Sequence, residues 1–283
     1  MEYTVTLDED NMRADKIVKG ICKGISYPLV QKLFRLKKIK VDGKAITSST
    51  RLVAGNELTI PYDIEIHDNS YEKDRFAELK SMIIYDCADF FAINKPAGLA
   101  VQMGSKISLC VENFIKSYPD QKCRLVHRLD KDTSGVLLIA KNLSSARRLT
   151  KLFRENKIKK TYLAIVDGKV TDDGIVDNCL KKTFIGNEEK VRIDENGRKA
   201  ITIYKPLRSI GAYTLIELKP LTGRTHQLRV HCAEVLNAPV LGDKKYNTNL
   251  HHKKLFLHSY KAYINDYKIE VTAEIPEYFW DIK

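Results

Sequence analysis

The sequence lacks the long apolar run that a membrane-spanning helix requires. No stretch of its 283 residues approaches the roughly 20 consecutive apolar residues that cross a bilayer. The first 15 residues carry Glu2, Asp8, Glu9 and Asp10 in place of a basic segment followed by an apolar one. We therefore expect no membrane association, no secretory leader and a cytoplasmic protein.

Cysteine is scarce and scattered. The chain has six cysteines and no Cys-x-x-Cys pair. Scattered cysteines in a chain without a leader are typical of free thiols in a reducing compartment. We therefore predict neither a structural disulfide nor a zinc site.

Acidic residues are fewer than basic ones, which favours a polyanionic partner. The chain contains 36 Asp and Glu against 48 Lys and Arg, a net charge of +12. Each phosphate that a basic side chain neutralises releases condensed counterions, so this excess promotes binding to nucleic acid. Composition leaves RNA, DNA and an anionic membrane open as partners.

The first block, residues 11–70, has the pattern of a small module of helices and strands. Apolar residues at helical spacing run from Ala14 to Ile21, and a second helix is predicted to start at Pro28. An alternating strand then closes at the turn Asp42-Gly43, and another covers Glu57–Ile60. We predict two helices that feed a small sheet.

The second predicted helix is basic and includes Lys32 and Arg35. A run of charge is usually a solvated face, and the alternative is an RNA-binding surface. The order of elements favours RNA binding, because it resembles the small RNA-binding module of ribosomal small-subunit protein four. Val41–Lys44 and Gly55–Ile60 match that module, whereas Lys38 departs from it. The resemblance implies that Lys32 and Arg35 contact RNA.

A polar stretch, residues 69–78, predicts a linker to the second block, residues 79–283. This block is rich in β patterns, with a predicted helix from about Leu143 to Phe153 capped by Asn142 or Ser144. The strand candidates are Phe90–Asn94, Gly135–Ala140, Thr161–Val166, Lys199–Tyr204, Tyr213–Leu218 and Leu255–His258. Because strands and helices do not alternate regularly, we predict the α+β class with a mixed sheet.

The densest polar cluster is His127–Gly135, which precedes an apolar strand. Loops anchored on rigid strands often carry catalytic groups. The alternative is a polar turn in which Asp132 or Thr133 makes turn hydrogen bonds. A hydrolase that uses Ser134, a histidine and Asp130 or Asp132 is a weaker alternative, because no Gly-x-Ser-x-Gly turn surrounds the serine.

A second polar cluster runs from Leu221 to His231. We predict that a helix starts after Gly223, which places Arg224 and His226 at its positive end. Cations are disfavoured there unless an anion or a carboxylate meets them. The five-residue spacing of His226 and His231 does not place them on one helical face, so we predict no metal.

Five segments of the second block together resemble the RluA-type pseudouridine synthases. In the family's order they are Asn94–Gly98, His127–Gly135, Lys160–Ala164, Gly223–His231 and Pro239–Asp243. Gly98–Ser105 is similar to the glycine-rich stretch of the RluC branch, which modifies large-subunit ribosomal RNA. The resemblance implies a mostly antiparallel catalytic sheet with flanking helices, and an accompanying N-terminal module is usual in that family.

The resemblance implies that Asp130 is catalytic, either as nucleophile on the sugar or as base at the neighbouring ribose carbon. A carboxylate in a dry pocket needs a cation. Arg229 is expected to supply it through a bidentate pair, with Arg224 as the competing candidate. Tyr162 is expected to stack on the detached uracil and to help remove the proton from carbon five. We expect no cofactor, because the isomerisation involves no redox change and consumes no energy.

The expected RNA contacts of the second block are Arg128, Lys95 and Arg224. Arg128 resembles the family's arginine that fills the stack after the target base is extruded. Lys95 is expected to hold phosphates, which supply affinity but little sequence choice. The expected partner is ribosomal RNA of the 23S type, and the expected state is a monomer. The main alternative is an RNA-binding protein with an inactive synthase-like domain.

Overall fold

The structure is a computed structural model that describes residues 1–22, 25, 27–61, 77–103, 109–116, 122–186, 188–248 and 251–282. The chain divides into two compact units. The first contains Met1–Asp74 and Met103–Ser108, and the larger second unit contains Arg75–Gln102 and Leu109–Lys283. The predicted boundary at residue 70, most of the predicted linker, and Gly104 and Ser105 lie outside the described residues.

The described residues of the first unit form two α-helices, a short 3-10 helix at Leu7–Glu9 and a four-stranded antiparallel sheet of order β1-β4-β2-β3. Its elements are β1 Glu2–Thr4, α1 Ala14–Ile21, α2 Tyr27–Arg35, β2 Lys40–Val41, β3 Lys44–Ala45 and β4 Glu57–Thr59. Asp42 and Gly43 both have positive φ angles, as a two-residue hairpin turn requires, so the predicted turn is correct. The strand β1 precedes residue 11 and was not predicted, because three residues carry no readable alternation.

Apolar side chains of both helices and of the sheet form a core within the first unit. A cluster of buried apolar side chains extends from Val5 to Ile60, and both helices contribute one face to it. Val30 and Phe34 point into this core, whereas Lys32 and Arg35 on the same helix are exposed. The amphipathic pattern of α2 therefore places the basic side chains in solvent.

The second unit is built on one 11-stranded sheet of order β11-β10-β12-β13-β9-β14-β8-β6-β5, with β7 and β15 paired to β8 and β14. Its strands are β5 Ile83–Asp86, β6 Phe90–Lys95, β7 Arg124–Leu125, β8 Ser134–Ala140, β9 Ile158–Asp167, β10 Gly174–Ile185, β11 Glu188–Ile193, β12 Arg198–Ile210, β13 Tyr213–Pro220, β14 Leu257–Ile264 and β15 Ile269–Thr272. Among the described strands only β14 and β8 pair in parallel. The predicted α+β class with a mixed, mostly antiparallel sheet is confirmed.

Helices cover parts of this sheet. They are α3 Val111–Lys116, α4 Leu143–Arg154 and α5 Gln227–Val230, and residues 77–82 are also helical. The Asn142 side chain accepts a hydrogen bond from the Ser145 amide, 2.9 Å, which confirms the predicted cap. α5 continues as a π-helical turn, His231–Val235. No helix in the described ranges is both long enough and apolar enough to cross a bilayer.

The predicted strands are confirmed except at their ends. The last candidate, Leu255–His258, is shifted, because the strand runs from Leu257 to Ile264. Its middle, Ser259-Tyr260-Lys261, gives no apolar run to read, yet Ser259 and Lys261 pair with β9 on either side of a bulge. Cross-strand pairing therefore extends this strand beyond its own hydrophobic pattern.

We predict that residues 77–283, expressed without residues 1–76, fold into a stable domain. The buried clusters described for the second unit consist of Leu79 and later residues, so the fragment keeps every described member of these clusters. A urea titration followed by circular dichroism should give one cooperative transition. An insoluble fragment, or a broad and non-cooperative transition, would show that the two units depend on a shared core.

Candidate active site

The loop between β7 and β8 carries the first polar cluster. Its first half is fixed by His127, whose Nε2 accepts a hydrogen bond from the Leu138 amide, 2.8 Å, and whose ring lies 4.4 Å from that of Phe153. Burial lowers the pKa of His127 to about 3. The imidazole is therefore neutral and anchors the loop to β8. The Thr133 amide donates to the Asp130 carbonyl, 3.2 Å, so the predicted turn hydrogen bond is also present.

A glycine at the end of this loop allows a close approach of two strands. Gly135 has a φ of +107°, and a Cβ atom there would collide with the backbone of Ser259. Because this position has no side chain, β8 pairs in parallel with β14 at Ser134–Gly135. The pairing fixes the point at which the polar loop enters the sheet.

Asp130 contacts a guanidinium that two carboxylates share. Arg229 Nη1 donates to Asp130 Oδ2 at 3.2 Å. Arg229 Nε and Nη2 donate to the two carboxylate oxygens of Asp243, both at 2.7 Å. The Asp130 side chain is 24% exposed, that of Arg229 is 12% exposed and that of Asp243 is fully buried. Asp130 is thus the member of the triad that faces solvent.

The structure confirms that Arg229 reaches Asp130 and corrects the geometry of their contact. We predicted a bidentate pair between them, and the bidentate pair is instead made with Asp243. A guanidinium offers one edge to a bidentate partner and keeps further donors for others. Burial disfavours the charge of Arg229, but the hydrogen bonds and charges of Asp243 and Asp130 outweigh burial and raise its pKa. Arg229 therefore stays charged.

Asp243 is held by backbone groups as well as by Arg229. Its Oδ1 accepts from the amides of Lys245, 2.9 Å, and Tyr246, 3.2 Å. A buried carboxylate that accepts this many hydrogen bonds has one fixed orientation. Sequence reasoning placed Asp243 in a motif but gave it no role.

His226 and Tyr246 complete the surroundings of Asp130. His226 Nε2 lies 3.7 Å from Asp130 Oδ2, and its Nδ1 is hydrogen-bonded to the Tyr246 hydroxyl at 2.9 Å. Burial lowers the pKa of His226 despite the charge of Asp130. The Arg229 guanidinium lies over the Tyr246 ring, 5.2 Å from its centroid. Tyr246 was not predicted, since nothing in its neighbouring sequence distinguishes it.

A cavity of about 620 Å³ opens beside Asp130. Tyr162 on β9 lines it, as do residues of the loop 127–130 and of the segment 222–229. Burial raises the pKa of Tyr162 to about 12, and the nearby charge of Asp130 adds to the increase. Tyr162 is thus neutral and lines the cavity. Its ring can stack on a base, and the proton-removing role stays a prediction.

Lys95 does not hold phosphates, and that prediction is wrong. The residue is fully buried, and its Nζ donates to the carbonyl oxygens of Pro96, 2.9 Å, Leu99, 2.7 Å, and Lys131, 3.0 Å. Burial lowers its pKa to about 7, against the charges of Asp132 and Asp130. All its donors are used inside the protein, so Lys95 ties the loop between β7 and β8 to the turn after β6.

The other two expected RNA contacts are exposed. Arg128 borders the cavity with its side chain in solvent. Arg224 is also exposed and donates through Nε to the Lys199 carbonyl, 2.9 Å. The helix begins only at Gln227 and has four residues, so the prediction that Arg224 starts it is wrong.

The metal and hydrolase alternatives gain no support from the described residues. No group of three or more His, Cys, Asp or Glu in those ranges could hold a metal ion. Ser134 is buried and lies 2.9 Å from Nδ1 of His258. The other nitrogen of His258 faces the Ala273 carbonyl, 3.4 Å, where a hydrolase triad needs a carboxylate.

Comparison with known proteins identifies the family. The model of the family described as RNA pseudouridylate synthase matches residues 89–234. That range contains Asp130, Tyr162 and Arg229 and most strands of the catalytic sheet. It covers just over half of the chain.

Three curated relatives match the chain over nearly its whole length, and each is named "Ribosomal large subunit pseudouridine synthase C". The protein from Rickettsia bellii is 37% identical over 94% of this chain and 95% of its own. The one from Rickettsia conorii is 38% identical over the same shares. The one from Vibrio parahaemolyticus is 33% identical over 95% of this chain and 91% of its own.

Two solved structures share the fold. "Human RNA Pseudouridylate Synthase Domain Containing 4" has a TM-score of 0.64 and 26% identity, covering 75% of this chain and 95% of its own. "Human RNA Pseudouridylate Synthase Domain Containing 1" has a TM-score of 0.59 and 28% identity, covering 68% and 82%. The predicted enzyme class is confirmed, and this chain belongs to the RNA pseudouridylate synthase family.

Proposed function

We propose that this enzyme isomerises uridine to pseudouridine in large-subunit ribosomal RNA of the 23S type. The observation that carries the proposal is the Asp130 carboxylate, held by Arg229 at the wall of a cavity lined by Tyr162. The names of the full-length relatives support the choice of RNA. A cytoplasmic location and a monomeric state remain part of the proposal.

The chemistry requires only groups that the chain supplies. The bond between ribose C1′ and uracil N1 breaks, the base turns over, and a bond forms between C1′ and C5. Asp130 acts on the sugar, either by attack at C1′ or by removal of the C2′ proton. The fixed guanidinium of Arg229 aims the carboxylate through a charge-assisted hydrogen bond. Electrons and protons balance within the substrate, so no cofactor takes part.

Basic side chains lie around Asp130 and are suited to bind RNA there. A second cavity, about 500 Å³, shares Asp130 and Arg229 with the first and is bordered by Lys131, Lys244 and Lys245. We infer that these lysines, with Arg128 and Arg224, contact phosphates next to the extruded nucleotide. Lys32 and Arg35 of the first unit are proposed to add affinity elsewhere on the RNA.

We predict that Asp130→Asn abolishes pseudouridine formation on a large-subunit rRNA transcript while RNA affinity stays within about twofold. Amide replaces carboxylate without a change of shape, and a single catalytic group contributes roughly 100-fold or more. The measurements are single-turnover pseudouridine release and filter binding. Asp132→Asn, an exposed neighbour on the same loop, is the matched control and should keep normal turnover.

Activity of Asp130→Asn above about one per cent of the wild type would contradict the assignment of Asp130. A wild-type protein that binds the transcript and converts no uridine would favour the alternative, an RNA-binding protein with an inactive domain. Modification of transfer RNA but not of the rRNA transcript would contradict the choice of substrate and leave the reaction intact.

We predict that Arg229 and Arg224, five residues apart, affect different quantities: Arg229 the rate constant and Arg224 the binding of RNA. Arg229→Ala should lower the single-turnover rate constant by roughly 100-fold or more, because Asp130 loses its cation. The same change leaves Asp243 buried without its ion pair and destabilises the fold, so Arg229→Lys is the companion variant. It keeps the charge but not the bidentate geometry, and should restore part of the rate.

Arg224→Ala should instead weaken RNA binding at an unchanged rate constant, and the slope of log Kd against log salt should fall by about one. Salt titration of binding and single-turnover kinetics on each variant separate the two roles. If Arg224→Ala lowers the rate constant and Arg229→Lys changes only binding, the assignments of the two arginines are reversed.

A further inference from the structure

The cavity beside Asp130 contains one half-buried cation with no partner in the described residues. Arg229 is paired with two carboxylates, and Arg128, Arg154 and Arg224 are exposed at the cavity mouth. Lys160 also lines the cavity and is half-buried. Among the residues that the structure describes, it forms neither a hydrogen bond nor an ion pair.

Lys160 lies on the strand β9, two residues before Tyr162. Side chains two residues apart in a strand share a face, so the ammonium and the Tyr162 ring both face the cavity. Gly223, on the opposite wall, leaves room for the ammonium: a Cβ atom there would lie 4.0 Å from Lys160 Nζ. Burial alone lowers the pKa of Lys160. An anion in the cavity would offset the free energy that this burial costs.

The proposed reaction creates such an anion. When the bond between C1′ and N1 breaks, its electron pair stays on the base and the charge spreads to O2 and O4 of uracil. We propose that the Lys160 ammonium binds one of these oxygens and stabilises the detached uracil anion. Lys160 donates a hydrogen bond and keeps its proton. When C5 bonds to C1′, Asp130 leaves C1′ or returns the C2′ proton, according to the route. The C5 proton passes to water and N1 takes a proton from water, so the base leaves neutral.

This inference rests on the proposed function and concerns the base, not the RNA backbone. A phosphate contact is the alternative role for a lysine, and the exposed arginines at the mouth are better placed for it. Arg229 is a poorer partner for the uracil anion, because its charge is already shared by Asp130 and Asp243. A donor that meets charge developed only during the reaction stabilises the transition state more than the ground state.

The test compares Lys160→Met with Lys159→Met on the same rRNA transcript. Lys159 is the neighbouring residue on the opposite, exposed face of β9, so it is a matched control for charge. Lys160→Met should lower the single-turnover rate constant about 100-fold, as loss of one charge-stabilising donor does, with Kd unchanged. Lys159→Met should leave the rate constant unchanged. Lys160→Arg should recover part of the rate, because it keeps a cationic donor.

A second substrate tests the charge on the base. 5-Fluorouracil is a stronger acid than uracil, so its anion needs less stabilisation. The loss caused by Lys160→Met should therefore be several-fold smaller for cleavage of 5-fluorouridine in the same transcript. If Lys160→Met does not fold, as judged by circular dichroism, the same comparison is made with Lys160→Gln.

Three results would overturn the inference. The first is an unchanged rate constant for Lys160→Met. The second is a higher Kd of Lys160→Met for RNA with a lower salt slope, which would identify a phosphate contact. The third is an equal loss of rate on uridine and 5-fluorouridine. A wild-type protein that forms no pseudouridine on any RNA would contradict the proposed function itself. The activity of the wild-type protein therefore shows whether a negative result contradicts the proposed function or only the proposed role of Lys160.

Discussion

The candidate site depends on the buried guanidinium of Arg229 and the two carboxylates that share it. Asp130 lies 99 residues before Arg229 in the chain and Asp243 lies 14 residues after it. The ion pair therefore joins three separate segments: the loop before β8, the helix α5 and the turn after Val240. A guanidinium that is largely buried is stable only where its N–H donors are hydrogen-bonded, and the carboxylate of Asp243 accepts from two of them. A further donor, on Nη1, aims the carboxylate that faces the cavity.

The sheet holds these segments in place. All seven residues of β8 are buried, and the missing side chain at Gly135 brings the strand against β14. Lys95 and His127 then fix the polar loop from two sides through backbone groups. The Lys95 ammonium has no donor left for substrate, and the Nε2 atom of His127 is occupied by the Leu138 amide. They are structural parts of the site, which explains why a segment so rich in polar groups presents only Asp130 and its neighbours to the cavity.

The sequence predicted the fold class and the segments that meet at the site. Asp130, Tyr162 and Arg229 carry the family motif, and the structure brings them together at one cavity. It did not predict that Asp243 is the bidentate partner of Arg229, because the choice between two carboxylates depends on the path of the chain in space. The error on Lys95 has a similar cause. Five of the six residues of β6, including Lys95, are buried, so a lysine at its end turns inward.

A double-mutant cycle between Asp243 and Arg229 tests most directly whether Asp243 acts by holding the guanidinium that aims Asp130. The measurement is the single-turnover rate constant for Asp243→Ala, Arg229→Ala and the double variant, after each is shown to be folded. We predict a loss of about 100-fold for Asp243→Ala, as for a misplaced catalytic group, and a double variant no slower than Arg229→Ala alone. Losses that multiply in the double variant would show that the two residues act independently and would contradict this account.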